Sequence, residues 1–343
     1  MTFQHLIDDA LEVAVIPSFS RIGYAVRRRL FGWTPPPPAA LRGCTVLITG
    51  PTSGLGRSTA DSLAALGARL ILVGRDAERL AAVRDELIAD YGEDRFRTVV
   101  ADMSSVASAT AAAALVRDTE SRLDVLIDNA GAIFAERRET PEGLERTFAT
   151  LVVGPFALVT GLLPLLKRTG SARVIAVTSG GMYVQRLDLD DLQSEHRPFD
   201  GPRAYARAKR AQVALVREWA RRVPAGQVTF NAMHPGWADT PGISAALPGF
   251  YGLMDPILRT PSEGADTIVW LAADPAPAGV TGRLFLDRRP RPFDRVPFTR
   301  TSVADREHLW DVIADLARPA RAATLLSPRP ASTTDQRPHG ATT

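Results

Sequence analysis

The sequence predicts an α/β chain: a doubly wound parallel sheet with helices on both faces, preceded by an N-terminal helical arm. Three observations lead there. From residue 44 onward, short apolar runs alternate with longer segments of helical period, and that alternation implies parallel strands covered on both sides. The first run passes straight into a glycine-rich turn and then a helix. Length and composition agree, because 343 residues with 45% hydrophobic and 23% charged side chains suit one large domain with extensions and a sizeable core.

The elements follow in chain order. Residues 1–40 are read as a helical arm and Pro-rich linker. Leu11 to Trp33 suits one amphipathic basic helix or two short ones, and Pro35 to Pro38 form a rigid break. The main domain is expected over 41–322. Val46–Thr49, four apolar or β-branched residues in a row, is the first strand. A helix follows from about Arg57 to Leu66, then the strand Leu70–Val73, the helix Asp76–Tyr91 and the strand Arg97–Ala101. An alanine-rich helix over about 104–121 leads to the strand Leu123–Ile127, and a long helix over about 142–168 to the strand Val174–Val177. An insertion at about 182–203 precedes the helix 203–222 and the sixth strand, Gln227–Ala232. Within about 241–262, Ala245 to Leu258 is rich in Leu, Phe, Tyr and Met and reads as a lid. The helix Gly264–Ala273 and the seventh strand Arg283–Leu286 come next, then an amphipathic helix over 303–317. Residues 323–343, rich in Ser, Thr, Pro and Gly, predict a disordered tail.

Composition excludes several classes. The net charge is +3, with most of the excess at Arg27, Arg28, Arg29, Arg288, Arg289 and Arg291. No basic stripe interleaved with aromatics runs along the chain, so no nucleic-acid partner is expected. The single cysteine, Cys44, excludes an internal disulfide. Five histidines without ligand spacing predict no metal site. No secretory pattern opens the chain. The longest apolar run, Leu151 to Leu166, contains two glycines and two prolines and is shorter than the roughly 20 residues of a span. It reads as a buried helix, and the expected location is the cytoplasm. Two readings of the arm stand: an element packed on the body, and a peripheral membrane contact through residues 1–33, where Arg lies opposite Ile, Leu, Phe and Trp.

Strand one runs into Thr49-Gly50-Pro51-Thr52-Ser53-Gly54-Leu55-Gly56. Glycine allows a tight turn and a close backbone approach to a pyrophosphate, and a helix N-terminus adds partial positive charge. A glycine pattern alone is weak evidence. In this strand–turn–helix context it predicts a dinucleotide site, with Gly50, Thr52, Ser53, Gly54, Leu55 and Gly56 at the phosphates. Strand two ends in Val73-Gly74-Arg75-Asp76. An Arg suits a 2′-phosphate where an acidic residue would take a ribose 2′-OH. Arg75 therefore favours NADP(H), with NAD(H) also admitted, and Asp76 reads as the cap of the next helix. Asp102, with Met103 beside it, is placed either to accept from an adenine amine or to cap a helix.

Tyr205 and Lys209 lie four apart inside a predicted helix, so phenol and ammonium share a face. A nearby cation is expected to lower the tyrosine pKa and make it a general acid/base. Of 41 cationic residues only Lys167 and Lys209 are lysine. A chain that uses Arg almost everywhere places Lys at 209 where a compact ammonium is needed, while Lys167 suits a helix C-terminus. Ser179, at the end of strand five, offers a hydroxyl to a carbonyl oxygen.

Together these residues resemble the short-chain dehydrogenase/reductase family over about residues 42–290. The likeness adds Asp128-Asn129-Ala130-Gly131 in place of the family's Asn-Asn-Ala-Gly, and Pro235-Gly236 with Thr240. Segments such as Ser179–Met182, His234–Gly242 and Gly282–Arg288 are similar to a branch related to the retinol-dehydrogenase-like enzymes. The resemblance implies a Rossmann-type seven-stranded parallel sheet and hydride transfer at nicotinamide C4. It makes Tyr205 the proton donor or acceptor, Lys209 the holder of the nicotinamide ribose, and Ser179 the carbonyl polariser. Asn129, Ala130 and Gly131 border the cofactor with Pro235 and Gly236, and Thr240 meets its carboxamide end. Two departures stand out. Leu151 occupies the place of a family Asn that supports a proton relay from the lysine. Tyr205 follows Ser179 by 26 residues, about twice the usual spacing, and the intervening loop offers Met182, Tyr183 and Leu187 to a substrate pocket or a surface flap.

The expected function is carbonyl–alcohol interconversion on a small apolar, lipid-, retinoid- or steroid-like substrate, by a chain that is either a monomer or a homo-oligomer. The competing expectation is a nucleotide-binding scaffold or sensor with little turnover.

Overall fold

The computed structural model describes residues 3–92, 95–246 and 248–318; the tail expected over 323–343 lies outside the described residues. The arm holds α1 (Phe3–Val13), α2 (Val15–Phe19) and α3 (Arg21–Leu30). Between Leu11 and Trp33 the two short helices α2 and α3 follow the end of α1, with Pro17 inside the short α2 and the Ser20 hydroxyl accepting from the Ile22 N–H to start α3.

Strands and helices then alternate: β1 (Thr45–Thr49), α4 (Gly54–Ala65), β2 (Arg69–Gly74), α5 (Ala77–Tyr91), β3 (Phe96–Val100), α6 (Val106–Thr119) and β4 (Val125–Asp128). One long rod follows, α7 (Arg146–Phe148), a π-turn at Ala149–Val153 and α8 (Gly154–Thr169). Next come β5 (Ala172–Val177), α9 (Gly201–Arg222), β6 (Val228–Met233), α10 (Pro241–Ala246), α11 (Pro248–Met254), α12 (Pro261–Ala273), β7 (Arg283–Leu286), β8 (Arg289–Arg291) and α13 (Val303–Leu316).

The strand order is β3-β2-β1-β4-β5-β6-β7-β8. The first seven strands run parallel, as expected, and β8 adds an antiparallel eighth. The addition depends on a two-residue turn, Asp287-Arg288, both at positive φ (55° and 57°), which is the twist a tight hairpin requires. Such φ values are uncommon for a bulky residue. Arg288 is held there by Asp266, with Nη2···Oδ1 at 2.6 Å.

Successive strand residues feed opposite cores. Val46 and Ile48 pack with α4, α5 and α12, while Leu47 packs with α6, α8, α9 and α13. The rod Arg146–Thr169 is apolar and long enough to cross a membrane, but it is mostly buried inside the protein, so a core helix is its role.

The arm buries charged groups beside the apolar Phe19 and Tyr24. α1 turns Asp8 inward (1% exposed), α3 buries Arg27 (0%), and Phe3 and Val13 face outward at 76% and 85% exposure. All five Arg27 donors are used, on Asp8, Glu12, Asp287, the Ser18 carbonyl and the Ser18 hydroxyl. Arg259 binds the other side of Asp287, and Arg291 binds Asp8. The basic excess seen near the two chain ends is therefore largely folded inward and neutralised, with Arg28 and Arg29 left exposed. Burial alone would raise the Asp287 carboxyl, but Arg259 and Arg27 outweigh it and hold it below its ordinary value.

Candidate active site

A cleft of about 390 Å³ opens at the C-terminal ends of the parallel strands, the edge where doubly wound sheets bind ligands. A wider hollow of about 500 Å³ between Leu192 and α13 holds none of the groups treated below.

At one end lies the glycine turn. Gly50, Thr52, Ser53, Gly54, Leu55 and Gly56 all line the cleft. Gly54 has φ +51°, and a Cβ on Gly56 would collide with the Gly50 carbonyl, so backbone alone fits there. Asn129 clamps this turn, its Nδ2 donating to the Thr49 carbonyl at 2.9 Å and the Gly50 carbonyl at 3.2 Å. The Asn129 and Ala130 N–H groups donate to the Thr49 hydroxyl. The asparagine thus borders the cleft while its side chain is spent on shaping the turn. With α4 starting at Gly54, the arrangement is an open anion-binding cradle suited to a pyrophosphate.

Arg75 stands exposed just past β2 on the cleft rim. Asp76 caps α5, its Oδ1 accepting from the Arg79 N–H at 3.0 Å. Sequence reading missed Arg79. Its Nη2 donates to the Thr52 carbonyl at 3.1 Å, and the side chain joins Arg75 on the rim. The signal was available, since position 79 is one helical turn past the acidic cap. Asp102 lines the cleft with Met103, but its Oδ1 is engaged by the N–H and hydroxyl of Ser104, both at 2.8 Å. The helix cap is Ser105 instead. Gly131, Pro235 and Gly236 complete the wall, with Thr240 packed over the turn at Gly54.

At the other end Ser179, Tyr205 and Lys209 meet in the same cleft. Tyr205 and Lys209 lie one turn apart on α9, with Nζ 5.7 Å from the phenol ring centroid. Ser179 lies where its hydroxyl favours the Tyr205 phenolate, and its Oγ accepts from the Gly181 N–H at 3.3 Å. Lys209 Nζ donates to the Val177 carbonyl at 2.7 Å and to Gln212 Oε1 at 3.3 Å.

The electrostatics differ from the expectation of a lowered tyrosine pKa. Burial pushes Tyr205 up to about 12, opposed by the Ser179 hydrogen bond. Lys209 Nζ donates to the Val177 carbonyl and Gln212, and at 5.7 Å from the phenol ring centroid it does not counter that rise. Burial lowers Lys209 to about 8, against the pull of Asp128. Burial also raises Asp128 to about 6, against Lys209 and Gln212.

Leu151 lies at the centre of the π-turn, fully buried, with its Cδ2 3.1 Å from the Cβ position of Gly131. Such turns often mark functional sites in helices. The loop after Ser179 folds otherwise than expected: Met182 and Tyr183 are buried, and Tyr183 lies against Phe19 of the arm and His234. Neither lines the cleft. Its outer wall comes instead from Ile133 and Phe134 and from the start of α10, beside a Trp237–Phe250 edge contact at 5.2 Å.

Comparison with known proteins completes the picture. The family profile described as short chain dehydrogenase matches residues 44–247. The chain is 41% identical to dehydrogenase/reductase SDR family member 12 from Bos taurus, over 80% of this chain and 87% of that protein. It is 34% identical to retinol dehydrogenase 14 from Homo sapiens, over 80% and 86%. Among solved structures, one from Beutenbergia cavernae, described as a candidate NAD(P)-dependent gluconate 5-dehydrogenase with bound NADP, superposes with a TM-score of 0.60 at 26% identity, covering 73% of this chain and 97% of that one.

Proposed function

Because the chain belongs to the short-chain dehydrogenase/reductase family and is thereby an NAD(P)-dependent oxidoreductase, we propose that it interconverts a carbonyl and an alcohol on an apolar, lipid-, retinoid- or steroid-like substrate. Tyr205 is the general acid/base, Ser179 the hydrogen-bond partner of the carbonyl, and Lys209 the cation behind them. The observation that carries this reading is the convergence of those three side chains on the glycine-lined cleft.

A bound nicotinamide cofactor supplies or accepts the hydride; the chain handles the proton. Tyr205, held protonated at neutral pH by burial, is a donor suited to the reductive direction, and its Oη proton moves to the carbonyl oxygen as negative charge grows there. Ser179 Oγ, anchored by the Gly181 N–H, turns its own proton toward the same oxygen. Arg75 and Arg79 on the rim support NADP(H) over NAD(H). The apolar substrate class is supported by Ile133 and Phe134 on the outer wall and by the likeness to a retinol dehydrogenase.

Replacing Tyr205 with Phe tests the assignment. In a panel of aldehydes and ketones, cofactor oxidation should fall by about 100-fold or more, while NADPH binding, read by fluorescence, persists. Unchanged turnover would mean another group donates the proton. An NADH preference in the same assay would overturn the reading of Arg75. Tight NADPH binding by a wild-type chain that turns over nothing would leave the nucleotide-binding scaffold.

A second reading concerns location, and the exposed apolar side chains of the arm favour it. Phe3, Leu6, Val13, Val15, Ile16 and Ile22 face outward, beside the exposed Arg21, Arg28 and Arg29. We propose that this face makes peripheral contact with an anionic lipid surface. Co-sedimentation with phosphatidylserine vesicles should weaken at least several-fold when Phe3 and Val13 become Ser. Equal sedimentation would remove lipid as the partner.

A further inference from the structure

The groups that face the buried Lys209 ammonium are few. Asp128 at the end of β4 and Tyr205 one turn back on α9 are the titratable ones. β5 contributes the Val177 carbonyl, and the π-turn contributes the apolar Leu151 next to Gly131. The remaining partner is Gln212, one turn further along α9. Its Oε1 accepts from Nζ, and its Nε2 donates to Asp128 Oδ2 at 2.6 Å. The bridge has one sense only, because an ammonium can only donate and a carboxylate can only accept. Asp128 is buried, and its Oδ1 has no hydrogen-bond partner among the described residues. The carboxylate therefore has one amide, and one cation beyond it, to compensate its burial.

We propose that Asp128 and Gln212 are positioning residues for the reaction, holding the Lys209 ammonium charged and aimed through a carboxylate–amide bridge on the side where Leu151 offers no polar group. A carboxylate a few ångströms away acts strongly in a dry site. Lysine, unlike arginine, sheds its proton when buried without such support. The opposing influences on Lys209 fit this arrangement, burial discharging it and Asp128 restoring it. The charged form is what can return a proton to the Tyr205 phenolate after each reduction, Lys209 then taking a proton from solvent through the open cleft it lines. In this consequence, and only in this, the inference rests on the carbonyl–alcohol reading.

The chain's two lysines allow a direct test. With lysine labelled by carbon-13 at Cε, the full chain gives two side-chain resonances, and the exposed Lys167 on α8 is an internal reference. Asp128→Asn should lower the Lys209 midpoint by about one unit or more and leave Lys167 unmoved. Gln212→Leu, which removes the amide bridge and leaves the carboxylate, should lower it as well, by a smaller amount. The double variant Asp128→Asn with Gln212→Glu, in which carboxylate and amide are exchanged, should return it close to the wild-type value. The pH profile of NADPH oxidation should follow the same three shifts with little change in substrate KM. Coincident titration of Lys209 in the wild type and Asp128→Asn overturns the proposal. So does a Gln212→Leu midpoint that stays at the wild-type value, and this variant decides the matter if Asp128→Asn does not fold. A wild-type chain without turnover would sink the carbonyl–alcohol reading while the lysine titration still decided this one.

Discussion

Two buried ionic assemblies in this protein are built on opposite terms. Under the arm, Arg27 spends every donor, and Asp287 is gripped from both sides by Arg27 and Arg259. Under the cleft, one ammonium reaches one carboxylate through an amide, and a carboxylate oxygen is left over. The cation types explain the contrast. A guanidinium cannot give up its proton in a protein, so its burial demands a carboxylate in direct contact; a lysine can, so indirect pairing leaves it adjustable. Saturated pairing produces a fixed joint, and unsaturated pairing produces a group whose charge can respond to chemistry.

The strongest way to break that contrast is to make the same change on both sides. Asp287→Asn should cost about 3–5 kcal/mol of stability, because two buried guanidinium groups lose their shared counter-charge. Asp128→Asn should cost only about 1 kcal/mol, because Lys209 can discharge instead. Urea unfolding of both variants reads the difference, and equal losses would show that cation type is not the deciding factor.

A smaller effect sharpens the comparison from between the two assemblies. His234 ends the β6 region fully buried, with both ring nitrogens unpaired among the described residues, edge-on to Phe19 at 4.8 Å. Burial, helped by the Arg259 cation, lowers it from 6.5 to about 3. A histidine depressed in the folded state binds fewer protons there than when unfolded, so its contribution is complete above about 6.5 and is lost as pH falls toward 3. By pH 5 the loss should reach about 2 kcal/mol. His234→Phe should remove that part of the acid slope measured by denaturant titration. A slope that survives the substitution would assign it to the carboxylates.

What the sequence made legible follows the range of the interactions. Val46–Thr49 and the glycine turn declare themselves through residues side by side, and Tyr205 with Lys209 through one helical turn. Arg75 and Asp76 were readable for the same reason. The bridge from Gln212 to Asp128 spans 84 positions, and that from Arg27 to Asp287 spans 260. Local pattern carries no information across such separations, so basic residues that looked like a surface feature proved to be an internal one. Arg289-Pro290-Arg291 lacks any strand propensity and becomes β8 through the turn before it and the Asp8 carboxylate opposite. Tyr183 looked available to a pocket because nothing nearby in the chain reveals that Phe19 covers it.

The 260-residue reach of the Arg27–Asp287 contact also sets an order of events during synthesis. At about 5–20 residues per second, the ribosome releases the acceptor tens of seconds after its partner helix. Until then Arg27 lacks one of its three carboxylate partners, with Asp8 and Glu12 of the arm already made. A nascent chain truncated before residue 287 therefore lacks the Arg27–Asp287 contact that ties the arm to the turn after β7.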